Sequence, residues 1–244
     1  MKFLKETNID GIREVFLSFL YLPLNETEID FIASHPIFET FTTFTKNYVE
    51  GAIEMGENRY FLDLHNPVHL GQAIKDVREH IENANLVKIY MMIRTPYKLT
   101  FLKYAKDYMS KKDFSEYLGE AWVDEENPNQ DINVSLDMVY KWFKGADKKA
   151  LMDKKDYEVY KNLPNEITIY RGIGRNRNPK GFSWTSNYEK ARWFADRWGN
   201  KGYILKGTIK KENVLAYFNT RGEDELVCCT KDIQGIERLK EGVE

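Results

Sequence analysis

Pro164 divides the chain into two textures, and that division limits the folds open to it. Before Pro164 apolar residues recur at three- and four-residue spacing, the period of an amphipathic helix. After it they alternate in short runs broken by Gly, Asn and charged residues, the period of half-buried strands. The spacing predicts helices over Ile12–Leu22 (ended by Pro23), Val68–Ile81, Tyr97–Tyr108, Leu136–Phe143 and Lys154–Leu163. Asn25 followed by Glu28 resembles a capping box for a helix through Ile32. Residues 1 to about 118 therefore read as helical. The polar, turn-rich stretch Asp124–Asn133, with Pro128 inside it, is the best boundary.

Beyond Pro164, strands are expected at 166–171, 181–186, 203–209, 214–218, 225–230 and 233–239. One helix is expected among them, with Ser186 and Glu189 as its capping box and Tyr188, Ala191, Phe194, Ala195 and Trp198 as its apolar face. One helix among six strands is too few for a parallel sheet of βαβ units. The expected class is α+β, helices in front and packed, mostly antiparallel sheets behind.

Composition removes other classes. The 244 residues are 42% hydrophobic, enough for a core. Two cysteines only, the adjacent pair Cys228 and Cys229, make no disulfide framework; they read as small buried fillers and suit a reducing compartment. The longest apolar run, Val15–Leu24, is broken by Ser18 and Pro23 and is too short to span a bilayer. No basic leader precedes it, so the expectation is a cytoplasmic protein without a membrane partner. The net charge of −2 is silent about partners as a total. Residues 171–211, however, carry eleven basic and two acidic side chains, leaving +9 there and −11 elsewhere. That stretch is the footprint expected beside a phosphate-bearing ligand.

Several motifs lead nowhere. His65 and His69 are four apart, but Asn66-Pro67 intervenes, the glutamate of a zincin is missing and no third ligand is near, so no metal is expected. His35 and His80 are isolated and read as structural. Gly172 and Gly174 follow a strand, but Arg177 stands where a dinucleotide fingerprint needs its third glycine, and no helix opens there.

Three motifs remain, each on or at an expected strand. Tyr170-Arg171-Gly172 ends the first strand, Gly181-Phe182-Ser183-Trp184-Thr185 lies on the second, and Gly222-Glu223-Asp224-Glu225 opens the fifth. Singly, each has an ordinary reading: a strand-end arginine, polar residues on a solvated face, edge charges that discourage pairing. In this order they resemble the ADP-ribosyltransferases of the R-S-E class, whose pattern is an arginine, then Ser-x-Ser/Thr, then Glu-x-Glu. The resemblance covers residues from about 130 to 240. Residues 1–118, read as helical from their spacing, lie outside it and have no assigned role; for 119–244 the resemblance implies a catalytic domain with the ADP-ribosyltransferase-like fold of two packed, mostly antiparallel sheets. Trp184 and Thr185 depart from the commonest form of the serine motif, which bears on nicotinamide contacts.

The resemblance implies mono-ADP-ribosyl transfer from NAD, a co-substrate, to a macromolecule with release of nicotinamide, and no metal. Glu225 would be the carboxylate beside the ribose, Ser183 its orienting hydroxyl, and Arg171 a phosphate ligand. Gly172, Trp184 and Thr185 complete the expected NAD contacts. In an extended strand Glu223 and Glu225 would share a face, about 6.5 Å apart. Glu223 at the first position of the motif favours a protein arginine as acceptor, with Phe218, Asn219 and Arg221 in the acceptor loop. Tyr217 or Phe218 could contact substrate or nicotinamide, a core role for one of them being equally open; the pair Trp193 and Trp198 reads as core. The alternative acceptor is a base of RNA or DNA, as in toxins of toxin–antitoxin or phage-conflict systems. NAD hydrolysis and a non-catalytic interaction module are further alternatives. Residues 1–118 could dock a target, bind an antitoxin, cover the NAD cleft or simply support the catalytic domain.

Overall fold

The structure is a computed structural model that describes residues 2–27, 33–44, 51–54, 59–126, 128, 131–174, 177–197 and 202–239. It is an α+β protein with two compact units, Lys2–Ser110 and Lys111–Glu244. The division precedes the polar stretch 124–133, and the helix Lys111–Asp124, for which the spacing gives no expectation, belongs to the second unit. Among the described residues no helix is long and apolar enough to cross a membrane.

Among the described residues the first unit has the α-helices α1 (Ile9–Leu20), α2 (Pro67–Ile81), α3 (Leu86–Met91) and α4 (Lys98–Ala105). Asparagines start three of them. The side chains of Asn8, Asn66 and Asn85 accept from the backbone N–H groups of Gly11, Val68 and Lys88. Pro67 occupies the first turn of α2, where its missing N–H costs nothing. The core gathers Ile12, Phe16, Leu20, Val77, Ile81, Ile89 and Phe101, all at most 3% exposed.

This unit is not helical throughout. Asn25–Glu26 (β1) pairs with Ala33–Ser34 (β2), and Phe41–Phe44 (β3), Ile53–Glu54 (β4) and Tyr60–Asp63 (β5) make a small antiparallel sheet. The capping box read at Asn25 is thus a strand start; residues 28–32 of that expected helix lie outside the described residues. Two- to four-residue strands contain too few alternations to reveal a period.

In the second unit α5 (Lys111–Asp124), α6 (Leu136–Gly145), α7 (Lys148–Leu151) and α8 (Lys154–Lys161) precede the strands. These are β6 (Glu166–Ile173), β7 (Ser183–Thr185), β8 (Tyr203–Lys210), β9 (Val214–Phe218), β10 (Glu225–Cys228) and β11 (Gln234–Arg238), with α9 (Tyr188–Asp196) after β7. All six join one antiparallel sheet in the order β11-β8-β6-β7-β10-β9. The expectation of two sheets is corrected to one sheet with two halves. β6 pairs with β8 over its full length, but with β7 only through Tyr170 and Thr185. The side chain of Arg171 takes the next position, which explains both the continuity and the break.

Local chemistry places the helices. α9 is capped by Asn187, whose side chain accepts from the Lys190 N–H, and not by Ser186. It lies so close to β6 that a Cβ on Gly172 would stand 2.0 Å from the Ala191 carbonyl oxygen. Only glycine fits there. Trp193 is 55% exposed, so it is not core; Trp198 lies outside the described residues. Under the other half, the Lys148 ammonium donates to the carbonyls of Phe143 and Leu215, tying α6 to β9. Burial lowers that ammonium to about 8. Cys228 and Cys229 are buried free thiols, and burial raises both.

His35 in the first unit generates a pH prediction. Its ring is 1% exposed, Nδ1 accepts from the N–H groups of Ile37 and Phe38, and Nε2 faces the Leu22 carbonyl. A proton on Nδ1 would forfeit two hydrogen bonds, and burial, helped by the Arg94 charge and opposed by the Leu22 carbonyl, holds the pKa below its ordinary 6.5. Because the folded pKa lies below the unfolded one, the His35 contribution to stability is complete above pH 6.5 and falls as pH drops below it. Urea unfolding followed between pH 8 and pH 5 should show that loss, and His35→Gln should flatten it.

Candidate functional site

The one registered link between the sheet halves sits beside a cavity of about 110 Å³. That is close to the size of cavities, about 150 Å³, that admit a single aromatic ring. Its lining brings together Arg171, Gly172, Ser183, Trp184, Thr185, Glu223 and Glu225 from the three motifs, with Arg221 at the rim. Residues 38 to 54 apart in sequence meet because β7 lies between β6 and β10. Thr185 is the register partner of Tyr170 on one side and of Glu225 on the other.

Arg171 occupies an inward position of β6, in series with Ile167, Ile169 and Ile173, and is 7% exposed. Its Nη1 donates to the Ser183 carbonyl, and its Nη2 to the Asn178 carbonyl at 2.9 Å. The guanidinium so replaces the ladder where β6 and β7 part. Its Nε has no hydrogen-bond partner and is buried. Burial pulls the guanidinium down to about 10, with the Glu225 charge opposing, so it stays cationic at neutral pH.

Glu225 opens β10. Its carboxylate accepts from the Ser183 hydroxyl and, at 2.9 Å, from the Trp122 indole N–H. Burial raises its pKa; these two donors and Arg171 oppose the rise, and Glu223 adds to it. Ser183 is thus placed to orient Glu225. The pair sits diagonally across the β7–β10 ladder, since Val227, not Glu225, is the register partner of Ser183.

Glu223 is not on the strand, which corrects the extended Glu-x-Glu geometry. Asp224 adopts φ 47° and Gly222 φ 69°, so the chain turns immediately before β10. The turn is tied on every side. Asn219 receives the Asp224 N–H on its side chain, and its own N–H goes to Asp156. Lys190 of α9 reaches the Gly222 carbonyl and the Asp224 carboxylate, Tyr217 donates to Asp224 at 2.8 Å, and Thr185 donates to the Glu223 carbonyl at 3.2 Å. Burial raises the Glu223 carboxyl, while Arg221, Arg197 and Lys190 pull it back.

Other expected site residues serve differently. Phe218 is 5% exposed at the end of β9, and Tyr217 is 7% exposed; neither ring lines the cavity. Asn219 pins the turn and does not face the cavity. Trp184 is 2% exposed and donates to the Gly181 carbonyl, closing the loop into β7.

The cavity also has a wall that the motifs do not announce. Trp122, Val123, Glu125, Glu126 and Pro128, at and beyond the end of α5, line it. Glu125 has one buried carboxyl oxygen without a partner, and burial, reinforced by Asp131, pushes it up to about 7. Rim arginines hold this wall: Arg177 donates to the Glu126 carbonyl, Arg221 to the Asp124 carbonyl, and Arg197 to the Glu126 carboxylate. Arg177 and Arg197 lie in the basic stretch 171–211, a usable signal. Nothing in the local sequence marks Trp122, which stands 103 residues before its partner. Among the described residues no group of three or more His, Cys, Asp and Glu is placed to hold a metal ion; His69 accepts the Asp63 N–H instead. Compared with known proteins, the chain matches no family, no curated protein and no solved structure.

Arg171→Met would leave the Ser183 and Asn178 carbonyls facing an apolar side chain. Two abandoned acceptors predict a loss of about 2–4 kcal/mol, measurable as a lower unfolding midpoint.

Proposed function

We propose that the second unit is a mono-ADP-ribosyltransferase, moving ADP-ribose from NAD to a macromolecular acceptor, with a protein arginine favoured. The observation that supports this most is the meeting of Arg171, Ser183 and Glu225 in one cavity, with Glu223 beside them on a braced turn. The residues fit NAD in three respects. A ring-sized cavity suits nicotinamide, while the rest of a dinucleotide needs the open mouth. The Glu225 carboxylate, held by hydroxyl and indole donors, is a fixed negative charge that stabilises the cationic character developing on a ribose as its N-glycosidic bond breaks. The buried, unpartnered Nε of Arg171 is a donor still unused.

The phosphate role shifts in emphasis. Both Nη groups of Arg171 bind backbone, so the rim arginines Arg177, Arg197 and Arg221 are the better candidates for the diphosphate. Each would exchange a carbonyl or carboxylate of the 124–126 segment for a phosphate oxygen, which binds a forked guanidinium more strongly. Glu223, its carboxyl half-buried and hemmed by arginines and a lysine, is placed to hold a cationic acceptor and take its proton.

A nucleic-acid acceptor is a second reading, favoured by the +9 charge of residues 171–211. Labelled NAD and a cell extract separate the two. Label released by protease supports the protein reading, and label released by ribonuclease or deoxyribonuclease supports the other. Free nicotinamide with no labelled macromolecule points to a hydrolase. Glu225→Gln should lower nicotinamide release by at least about a hundredfold, the scale of a lost transition-state contact, with the fold intact by circular dichroism. Glu223→Gln should depress transfer to the acceptor far more than hydrolysis of NAD, measured on the same sample as labelled acceptor against free nicotinamide.

A further inference from the structure

We infer that Trp122, on helix α5, is a positioning residue for Glu225: its indole N–H fixes the carboxylate from an element outside the sheet. The inference rests on the transferase reading and extends it to a residue outside the three motifs.

A buried indole N–H must find an acceptor, and here that acceptor is the Glu225 carboxylate oxygen Oε1 at 2.9 Å. Trp122 is 1% exposed and stands edge-on to Phe143, ring centroids 5.1 Å apart at 82°, so the ring has no room to swing. α5 is itself pinned close to its neighbour. A Cβ on Gly119, one turn before Trp122, would lie 2.1 Å from the Leu151 carbonyl oxygen of α7. The donor is therefore rigid, unlike a serine hydroxyl, which rotates about its C–O bond.

The contact has a chemical consequence. Glu225 is held between a hydroxyl from β7 and an N–H from α5. Two donors fix the plane of the carboxylate, where one would leave it free to turn. They also favour the ionised form, against desolvation and against the neighbouring Glu223. A carboxylate that must face a developing positive charge has to be both charged and aimed, and Trp122 contributes to each.

Trp122→Phe keeps an aromatic ring against Phe143 and deletes the N–H. Its kcat for nicotinamide release should fall about 10- to 100-fold, the range of one hydrogen bond to a charged group. KM for NAD should change much less, and the acid limb of the pH profile should move to higher pH. A second measurement needs no activity. In ¹³C-carboxyl-labelled protein without NAD, the Glu225 resonance, assigned with Glu225→Gln, should titrate at higher pH in Trp122→Phe than in the wild type. Trp142→Phe, an equal truncation beside Phe114 in the same helical layer, controls for lost packing and should leave that titration in place. A Trp122→Phe protein with an unmoved Glu225 titration and wild-type kcat would overturn the inference and leave the transferase reading standing. A wild type that releases no nicotinamide would overturn the transferase reading, and with it the catalytic use of the pair; the titration still decides whether Trp122 holds Glu225.

Discussion

The second unit turns on one buried cation. Arg171 sits where an isoleucine would continue the inward row of β6, and its guanidinium binds the Ser183 and Asn178 carbonyls across the gap between β6 and β7. A charge in that position would be costly without partners. With them it does two things that no apolar residue could. It holds the sheet halves together where the ladder fails, and it leaves a cavity beside the join instead of a closed seam. Glu225 lies close enough to oppose the effect of burial on the guanidinium, so the two charges support one another.

Around that join the unit distributes rigidity unevenly. The turn from Asn219 to Asp224 has a residue and a glycine at positive φ, and is tied by side chains from β9, α8 and α9. Left-handed backbone at a non-glycine residue persists where surroundings enforce it, and such places concentrate at functional sites. The opposite wall is held by arginine side chains on backbone carbonyls, bonds that a phosphate could displace. One face of the cavity is therefore fixed by packing and the other by exchangeable polar contacts. Under the proposed transferase function, which asks the site to bind a long, anionic substrate and hold its reacting carbon still, both would be of use.

Much of this is legible in the sequence. The strands of the second unit fall close to where alternation placed them, since each is amphipathic or buried over several residues and bounded by turn formers. The three motifs come together because strand order does the work once the sheet forms. Legibility failed where the signal was short or non-local. β1–β5 are too brief to carry a period. Phe218 is expected both to end a strand and to serve the acceptor loop; it ends β9 with its ring buried and does not line the cavity. Asn187 rather than Ser186 caps α9, as the two stand side by side with equal chemistry and only the helix entry angle chooses between them.

By itself the sequence determined the class, α+β with helices first, because periodicity is a local consequence of which face each element buries. It also determined the candidate chemistry, since only certain side chains can carry it. The tertiary structure alone decided that Arg171 is buried and spent on backbone, that Glu223 leaves the strand line of Glu225, and that α5 brings Trp122 onto the central carboxylate. Each of these depends on which distant segment fills the space beside a residue, and no local pattern encodes that. It follows from packing the whole unit at interior density with its buried polar groups satisfied.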